Sequence, residues 1–572
     1  MDLNLPQAGP KQRDSLALSS RFILTGSLSV AAILLIFAVS WLVPFQVEGD
    51  VAYAARAAQQ HSLGQSGFNR LRLVSPDDLS QDVETWLFFW PPAISAMFGM
   101  LLRAKFSLGA AGRLLMLAAA LSGVIGWACI AALLLKRRAA LVLAATASVL
   151  YIFENAMFLS FNVGDGIVFA IIPWLFALSL RTVNQWKVSG KVSVWPFAAI
   201  CFCLGSLYWV KYSAMFPALA IWCFLALAAL RCRRSSSTVL VLVSGTAMLL
   251  APVSALWFMN RIFGGNLLDD RFASAIHHPD VRFFLYKLLG SAILDPAPGI
   301  IRIFGDGDGL LNVLPYLPGV VLVVLTIAGC LAGTAFEAGL LALLLIAIPA
   351  PGIMYLGWRS GYFAVGDAIR YCQPYWILLD LLLIGLAMGD IPLVQRWGRA
   401  LRFSIVGLTA YACLFAAFVP YVALKNSIRP ARSTASRKSQ LYIPTLSGTN
   451  SSGIASTINS IIRSNDVVVP ATYWLGQETW LELDGRLLPL TNFWEPLGAT
   501  HGRNGADYFS STPFISSRPL RLVLVAADPY SRSDFSSSIQ RIKSRFPQAH
   551  DWKMALVFPP DRVQVWIADL TV

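Results

Sequence analysis

The chain has 572 residues, 56% of them hydrophobic and 13% charged, and its mean hydropathy of +0.62 excludes an ordinary water-soluble globular protein. A formal net charge of +14 would suit a nucleic-acid partner, but the Lys and Arg residues flank apolar runs and do not gather on one basic face, which excludes that class. The eight cysteines, Cys129 to Cys413, lie in or beside the apolar runs and offer neither a disulfide framework nor a CxxC metal knuckle.

Residues 1–21 are polar and basic, with Lys11, Arg13 and Arg21, and the apolar run from Phe22 to Pro44 is longer than the core of a cleaved signal. It is expected to be a retained first span. Runs of the roughly 20 apolar residues needed to cross a bilayer recur along the chain. They give spans near 22–44, 114–135, 139–157, 166–181, 195–210, 213–230, 238–259, 314–332, 336–356, 371–390 and 403–424. Basic punctuation falls at Lys136-Arg137-Arg138, Arg181 to Lys191, Arg231 to Arg234 and Arg396 to Arg402, and short loops rich in Lys and Arg stay cytoplasmic. With the N-terminus on that side, the odd number of spans puts the tail outside. The expected fold is therefore a polytopic α-helical membrane protein of about eleven transmembrane helices, with external loops at 45–112 and 260–312. The bounding membrane is expected to be a plasma (inner) membrane.

Within the first external loop, an apolar helix following Pro91-Pro92 and closed by Arg103 and Lys105 is too short for a span and is expected to lie along the outer interface. A Ser, Thr and Arg-rich linker covers 425–447, and residues 448–572 alternate strand and helix patterns. Helices are expected at 454–463 and 535–546, and strands at Val467–Val469, Leu520–Val525 and Val563–Ile567. This is a small external α/β domain.

The candidate functional residues sit at the outer ends of the spans. Asp50 opens a helix just beyond the first span, either as its N-cap or as a base held at the membrane surface. Asp165, between two glycines, is a turn acid or a site residue. Lys211, between the fifth and sixth spans, and Arg370, beside Tyr371, either anchor span ends or reach a lipid phosphate, which Arg can grip bidentately. Asp306 and Asp308, set among glycines, form a flexible turn or a hard-oxygen site for a divalent cation. His277-His278 with Asp269, Asp270 and Asp280 matches no zinc spacing.

Taken in order, Asp50 with Tyr53 on an Ala-rich helix, Trp90-Pro91-Pro92, Gly112-Arg113-Leu114, Asp165, Lys211-Tyr212 and Arg370-Tyr371 with Pro374 resemble the GT-C superfamily. The protein O-mannosyltransferases and bacterial aminoarabinose transferases are the members in view. The resemblance implies transfer of a sugar from a polyprenyl-phosphate carrier to a lipid, glycan or protein acceptor on the outer face. It makes Asp50 the catalytic base and Tyr53, Arg113, Asp165, Lys211, Arg370 and Tyr371 substrate-binding residues. Many relatives carry two consecutive acids where this chain has Asp50-Val51, and Trp90 stands in place of a lysine, so the sugar stays open. The rival class is a transporter or flippase, which usually places ionisable groups at mid-membrane, as Asp380 alone would be here.

Overall fold

The computed structural model describes residues 10–41, 46–47, 49–87, 91–155, 157–158, 160–161, 164–232, 236–264, 281–292, 314–360, 365–392, 403, 406–407, 457–470, 483–488, 513–526, 535–558 and 563–571. Among these, eight helices are long and apolar enough to cross a membrane. They lie in α1 (Pro10–Ser40), α4 (Leu108–Leu134), α6 (Asp165–Ser189), α8 (Met215–Cys232), α9 (Ser236–Gly264), α11 (Leu317–Leu331), the pair α12 (Phe336–Ala347) and α13 (Pro349–Ser360), and α14 (Val365–Met388). The expected spans at 139–157 and 195–210 correspond to shorter apolar helices, α5 (Arg138–Glu154) and α7 (Val194–Ser206). The expected span at 403–424 falls almost wholly outside the described residues. Two short helices, α2 (Gly49–Ser62) and α3 (Ala93–Arg103), precede α4, and α10 (Val281–Gly290) follows α9. At about 1.5 Å per residue, the 11 residues of α3 fall well short of a bilayer's hydrocarbon thickness.

Close helix packing needs small residues at the contact. A Cβ on Gly205 of α7 would lie 2.2 Å from the Leu249 carbonyl oxygen of α9, so these two helices meet backbone to backbone. That contact carries the α7–α8 turn, which bears Lys211.

Several chain ends are tied by charge at the basic turns. Asp390, just past α14, accepts from the backbone amides of Lys136 (2.9 Å) and Arg137 (3.1 Å), and Arg137 Nε lies 3.5 Å from its other oxygen. Lys187 in the last turn of α6 pairs with Glu337 at the start of α12, and the Arg231 guanidinium sits 4.9 Å from the Phe336 ring centroid. Arg181 was expected to mark the end of a span, yet α6 runs on to Ser189. Nothing in the intervening sequence breaks a helix until Gly190, whose φ of 63° suits the C-terminal position.

The C-terminal residues build a five-stranded mixed sheet from β5 (Val467–Pro470), β6 (Arg486–Leu487), β7 (Leu520–Ala526), β8 (Ala549–Phe558) and β9 (Val563–Leu570), in the order β6-β5-β7-β9-β8. Strands β5, β6 and β7 are parallel, while β9 runs antiparallel to both β7 and β8. Helix α15 (Phe535–Lys543) packs with the sheet. Of the expected helix at 454–463, residues 457–459 are helical and a turn follows at 460–461, while 454–456 lie outside the described residues.

This sheet does not stand apart. Its buried residues Val468, Leu487 and Leu522 share one apolar core with Tyr53 and Ala57 of α2 and with Leu71, Leu73 and Leu79. The last three belong to an antiparallel hairpin, β2 (Arg70–Val74) and β3 (Asp82–Trp86), and its turn. Polar contacts close the seam. Arg486 Nε and Nη2 each lie 2.8 Å from Asp82 Oδ1, and Arg72 Nε donates to Oδ2 at 2.9 Å. Asp78 accepts from the Ser517 amide at 3.0 Å and from its hydroxyl at 2.6 Å. Desolvation opposes ionisation of Asp78, but these bonds and those from Ser80 outweigh it and hold the carboxyl well below the usual carboxylate range.

Candidate functional site

The ends of four separate chain segments meet away from the basic turns. The first juxtaposition is set by backbone alone: β1 (Gln46–Val47) runs parallel to β4 (Ser160–Phe161), with Gln46 opposite Ser160 and Val47 opposite Phe161. Asp50 is the second residue of α2, and Asp165 is the first residue of α6. Each therefore follows its strand by only a few residues, and adjacent strands are about 4.8 Å apart. The two acid-bearing helices start side by side. Arg113, buried in the first turns of α4, holds the other flank, donating from Nη1 to the Ser40 carbonyl at 3.1 Å and stacking 4.7 Å from the Trp41 ring centroid. It thereby caps the end of α1 from which the Asp50 segment leaves.

Asp165 meets Lys211 through a local device. Gly164, the N-cap of α6, has φ 69°, and a Cβ there would lie 3.0 Å from the Val210 carbonyl oxygen and 3.5 Å from Lys211 Cβ. Glycine supplies both the left-handed backbone and the space for this approach. Lys211 is an extended residue (φ −157°, ψ 128°) between the 3-10 turns Leu207–Trp209 and Tyr212–Ala214. Its ammonium pairs with Asp165 Oδ1, and the two residues are 7% and 1% exposed. On its other side the ammonium lies 4.1 Å from the Tyr371 ring centroid. Asp165 Oδ2 is buried with no hydrogen-bond partner among the described residues.

Helix α14 supplies the remaining wall. Tyr375 Oη donates to Cys372 Sγ at 3.1 Å, and both groups are within electrostatic reach of Asp165. Asn155 Nδ2, just past α5, donates to Gln373 Oε1 at 3.1 Å. Arg370 directly precedes Tyr371 on α14.

Of the sequence-derived candidates, the fold brings Asp165, Lys211 and Tyr371 into contact, sets the Asp50 backbone at the neighbouring helix start, and leaves Arg113 as a brace. Tyr53 lies apart, 2% exposed in the core shared by α2 and the C-terminal sheet. Lys211 differs from the freely presented cation that its sequence position suggests, because Asp165 balances its charge. An arriving phosphate would have to compete with that carboxylate, while Asp165 Oδ2 is open to a hydroxyl donor. Trp90, Asp306, Asp308, His277, His278, Asp269, Asp270 and Asp280 lie outside the described residues. Among the described residues, no three His, Cys, Asp or Glu side chains gather as a metal site would require.

Gly164, Asn155 and Gln373 were not singled out from the sequence. The Gly-Asp-Gly string was a signal for the first, whereas Asn155 and Gln373 become partners only through folding. Neither family models nor curated proteins yield a match to the chain.

Proposed function

We propose that the protein is a membrane glycosyltransferase of GT-C type that takes a sugar from a polyprenyl-phosphate carrier at this end of the helical bundle and transfers it to a lipid, glycan or protein acceptor. The observation that carries the reading is the convergence of Asp165, Lys211 and Tyr371 from three distant segments, beside the helix start that bears Asp50. In this reading Asp50 takes the proton of the acceptor hydroxyl as its oxygen bonds to the anomeric carbon. The bond from that carbon to the phosphate oxygen breaks, and polyprenyl phosphate leaves. Arg370 holds the departing phosphate, with Lys211 completing the positive surface once Asp165 yields part of its hold.

The reading carries a topology: residues 45–112, 260–312 and 425–572 lie outside a plasma membrane, the N-terminus lies in the cytoplasm, and Arg137 and Arg233 face inward. Mass spectrometry of the lipid retained by the purified protein is the direct test, with a polyprenyl-phosphate sugar expected. Retention of ordinary phospholipid alone, with no sugar transfer from any polyprenyl-phosphate donor, would remove the reading. One observation favours a transporter, the burial of the Asp165–Lys211 pair. Movement of a lipid-linked sugar across vesicles without formation of a new glycosidic bond would decide for it.

A further inference from the structure

Asn260 lies in the last turns of α9, between Met259 and Arg261, and is 3% exposed. Both ends of its amide are engaged. Trp86 Nε1 donates to Oδ1 at 3.0 Å, and Nδ2 donates to the Tyr212 hydroxyl at 3.4 Å. Burying an amide near the end of a span is costly unless it is paired, and this pairing joins two elements: the end of β3 and the turn that carries Lys211.

That turn is stapled to α9 elsewhere. Trp209 Nε1 donates to the Pro252 carbonyl at 2.8 Å, Trp257 Nε1 donates to the Tyr208 hydroxyl at 3.0 Å, and the Tyr208 and Tyr212 ring centroids are 4.9 Å apart. These staples fix the turn to α9 alone. Asn260 reaches both ways, because Trp86 closes the hairpin that the C-terminal sheet grips through Asp82–Arg486 and Asp78–Ser517. A continuous path of contacts therefore runs from the sheet through the hairpin, Trp86 and Asn260 to Tyr212, the neighbour of Lys211.

The geometry points to Asn260 as a positioning residue that holds the Lys211 turn in register with the β2–β3 hairpin, so that the C-terminal sheet sets the place of an ammonium group it does not touch. The inference rests on the reading of this end of the bundle as the site for a lipid-linked phosphate.

The test uses the full chain in lipid nanodiscs. Asn260→Leu keeps the branched shape and removes both hydrogen bonds, Trp86→Phe removes the indole N–H together with the ring that carries it, and Tyr212→Phe removes only the hydroxyl. Hydrogen exchange across 207–214 and the affinity for a long-chain polyprenyl monophosphate are read together. Each variant is expected to speed exchange in that segment and to weaken binding about three- to tenfold, the size of one lost hydrogen bond. Trp86→Phe combined with Tyr212→Phe is expected to match Asn260→Leu. A residue that merely stabilised the fold would lower the thermal midpoint and leave the affinity of the folded protein unchanged. Unaltered exchange overturns the inference, and so does faster exchange with unaltered affinity. If Asn260→Leu does not fold, the Trp86 and Tyr212 variants carry the test. A wild-type protein that binds no polyprenyl monophosphate sinks the functional reading, and the exchange result then decides the coupling of hairpin and turn by itself.

Discussion

Removing either partner of the Asp165–Lys211 pair leaves a charge in a site where the two residues are 1% and 7% exposed, and the two removals are not equivalent. Lys211→Met strands a carboxylate whose Oδ2 has no hydrogen-bond partner among the described residues, so the loss is expected near the full 3–5 kcal/mol typical of a broken buried pair, about 4 kcal/mol. Asp165→Asn strands the ammonium against the Tyr371 ring at 4.1 Å. That ring contact is already present in the wild type and is kept, and the introduced amide oxygen still accepts from the ammonium; a hydrogen bond to a charged group is worth about 1.5–3 kcal/mol, which leaves a loss of about 2 kcal/mol. The double variant has no charge to strand and is expected to recover about 2–3 kcal/mol relative to the sum of the single losses. Thermal unfolding in one detergent, followed by the amount of monodisperse protein, ranks the four proteins. Lys211→Met is expected lowest, Asp165→Asn intermediate, and the double variant above Lys211→Met. Additivity of the two single losses to within about 0.5 kcal/mol, or the reverse order of the singles, would refute the coupling.

Asp50→Asn keeps the helix-capping ability of the position and is expected to abolish sugar transfer while changing the unfolding midpoint little, as an assay of product formation beside a melting curve would show. Gly164→Ala places a Cβ at φ 69° and 3.0 Å from the Val210 carbonyl oxygen, and is expected to cost about 1–2 kcal/mol in the same unfolding assay. The hydrogen bonds to Asp78 lower its pKa in the folded state, so their stabilisation is complete above the ordinary carboxylate value of about 3.9 and is lost as pH falls below it. Protease sensitivity of the hairpin is accordingly expected to rise on acidification below about pH 4, and Asp78→Asn is expected to flatten that dependence. A chain ending at Lys425 uncovers Tyr53, Ala57, Leu71 and Leu79 and is expected to lose ordered structure in residues 49–87, read by hydrogen exchange.

The helical part was legible because lipid demands long apolar runs, and eight of the expected spans meet that demand as single features of the sequence. Helices α5 and α7 were legible as apolar segments, though not as helices shorter than the eight. The β2–β3 hairpin was not read, since Arg70–Val74 and Asp82–Trp86 are five residues each and carry charges on alternate positions inside a polar loop. Strand β8 was hidden similarly: three of its residues from Lys553 to Ala555 are exposed, so its pattern lacks the apolar regularity of Leu520–Ala526. At the site, Asp165 and Lys211 could each be picked out from their place at span ends, but their pairing joins positions 46 apart in sequence, which local pattern cannot register. Asn260 did leave a trace, an amide beside Arg261 near a span's end, and Trp86 gave none that set it apart from Trp90 in the same loop.

The core shared by the first loop and the C-terminal sheet has a consequence for the order in which the molecule can be made. Leu79 leaves the ribosome roughly 390 residues ahead of Val467, its partner in that core, and at about 5–20 residues per second the interval is on the order of 20–80 s. For that time the hairpin and the inner face of α2 have no sheet to cover them, while nearly all the intervening spans are being inserted. The nascent loop therefore needs a temporary cover, from the membrane surface or a folding helper, and any lesion that delays the tail lengthens the exposure of apolar residues that the finished protein never shows.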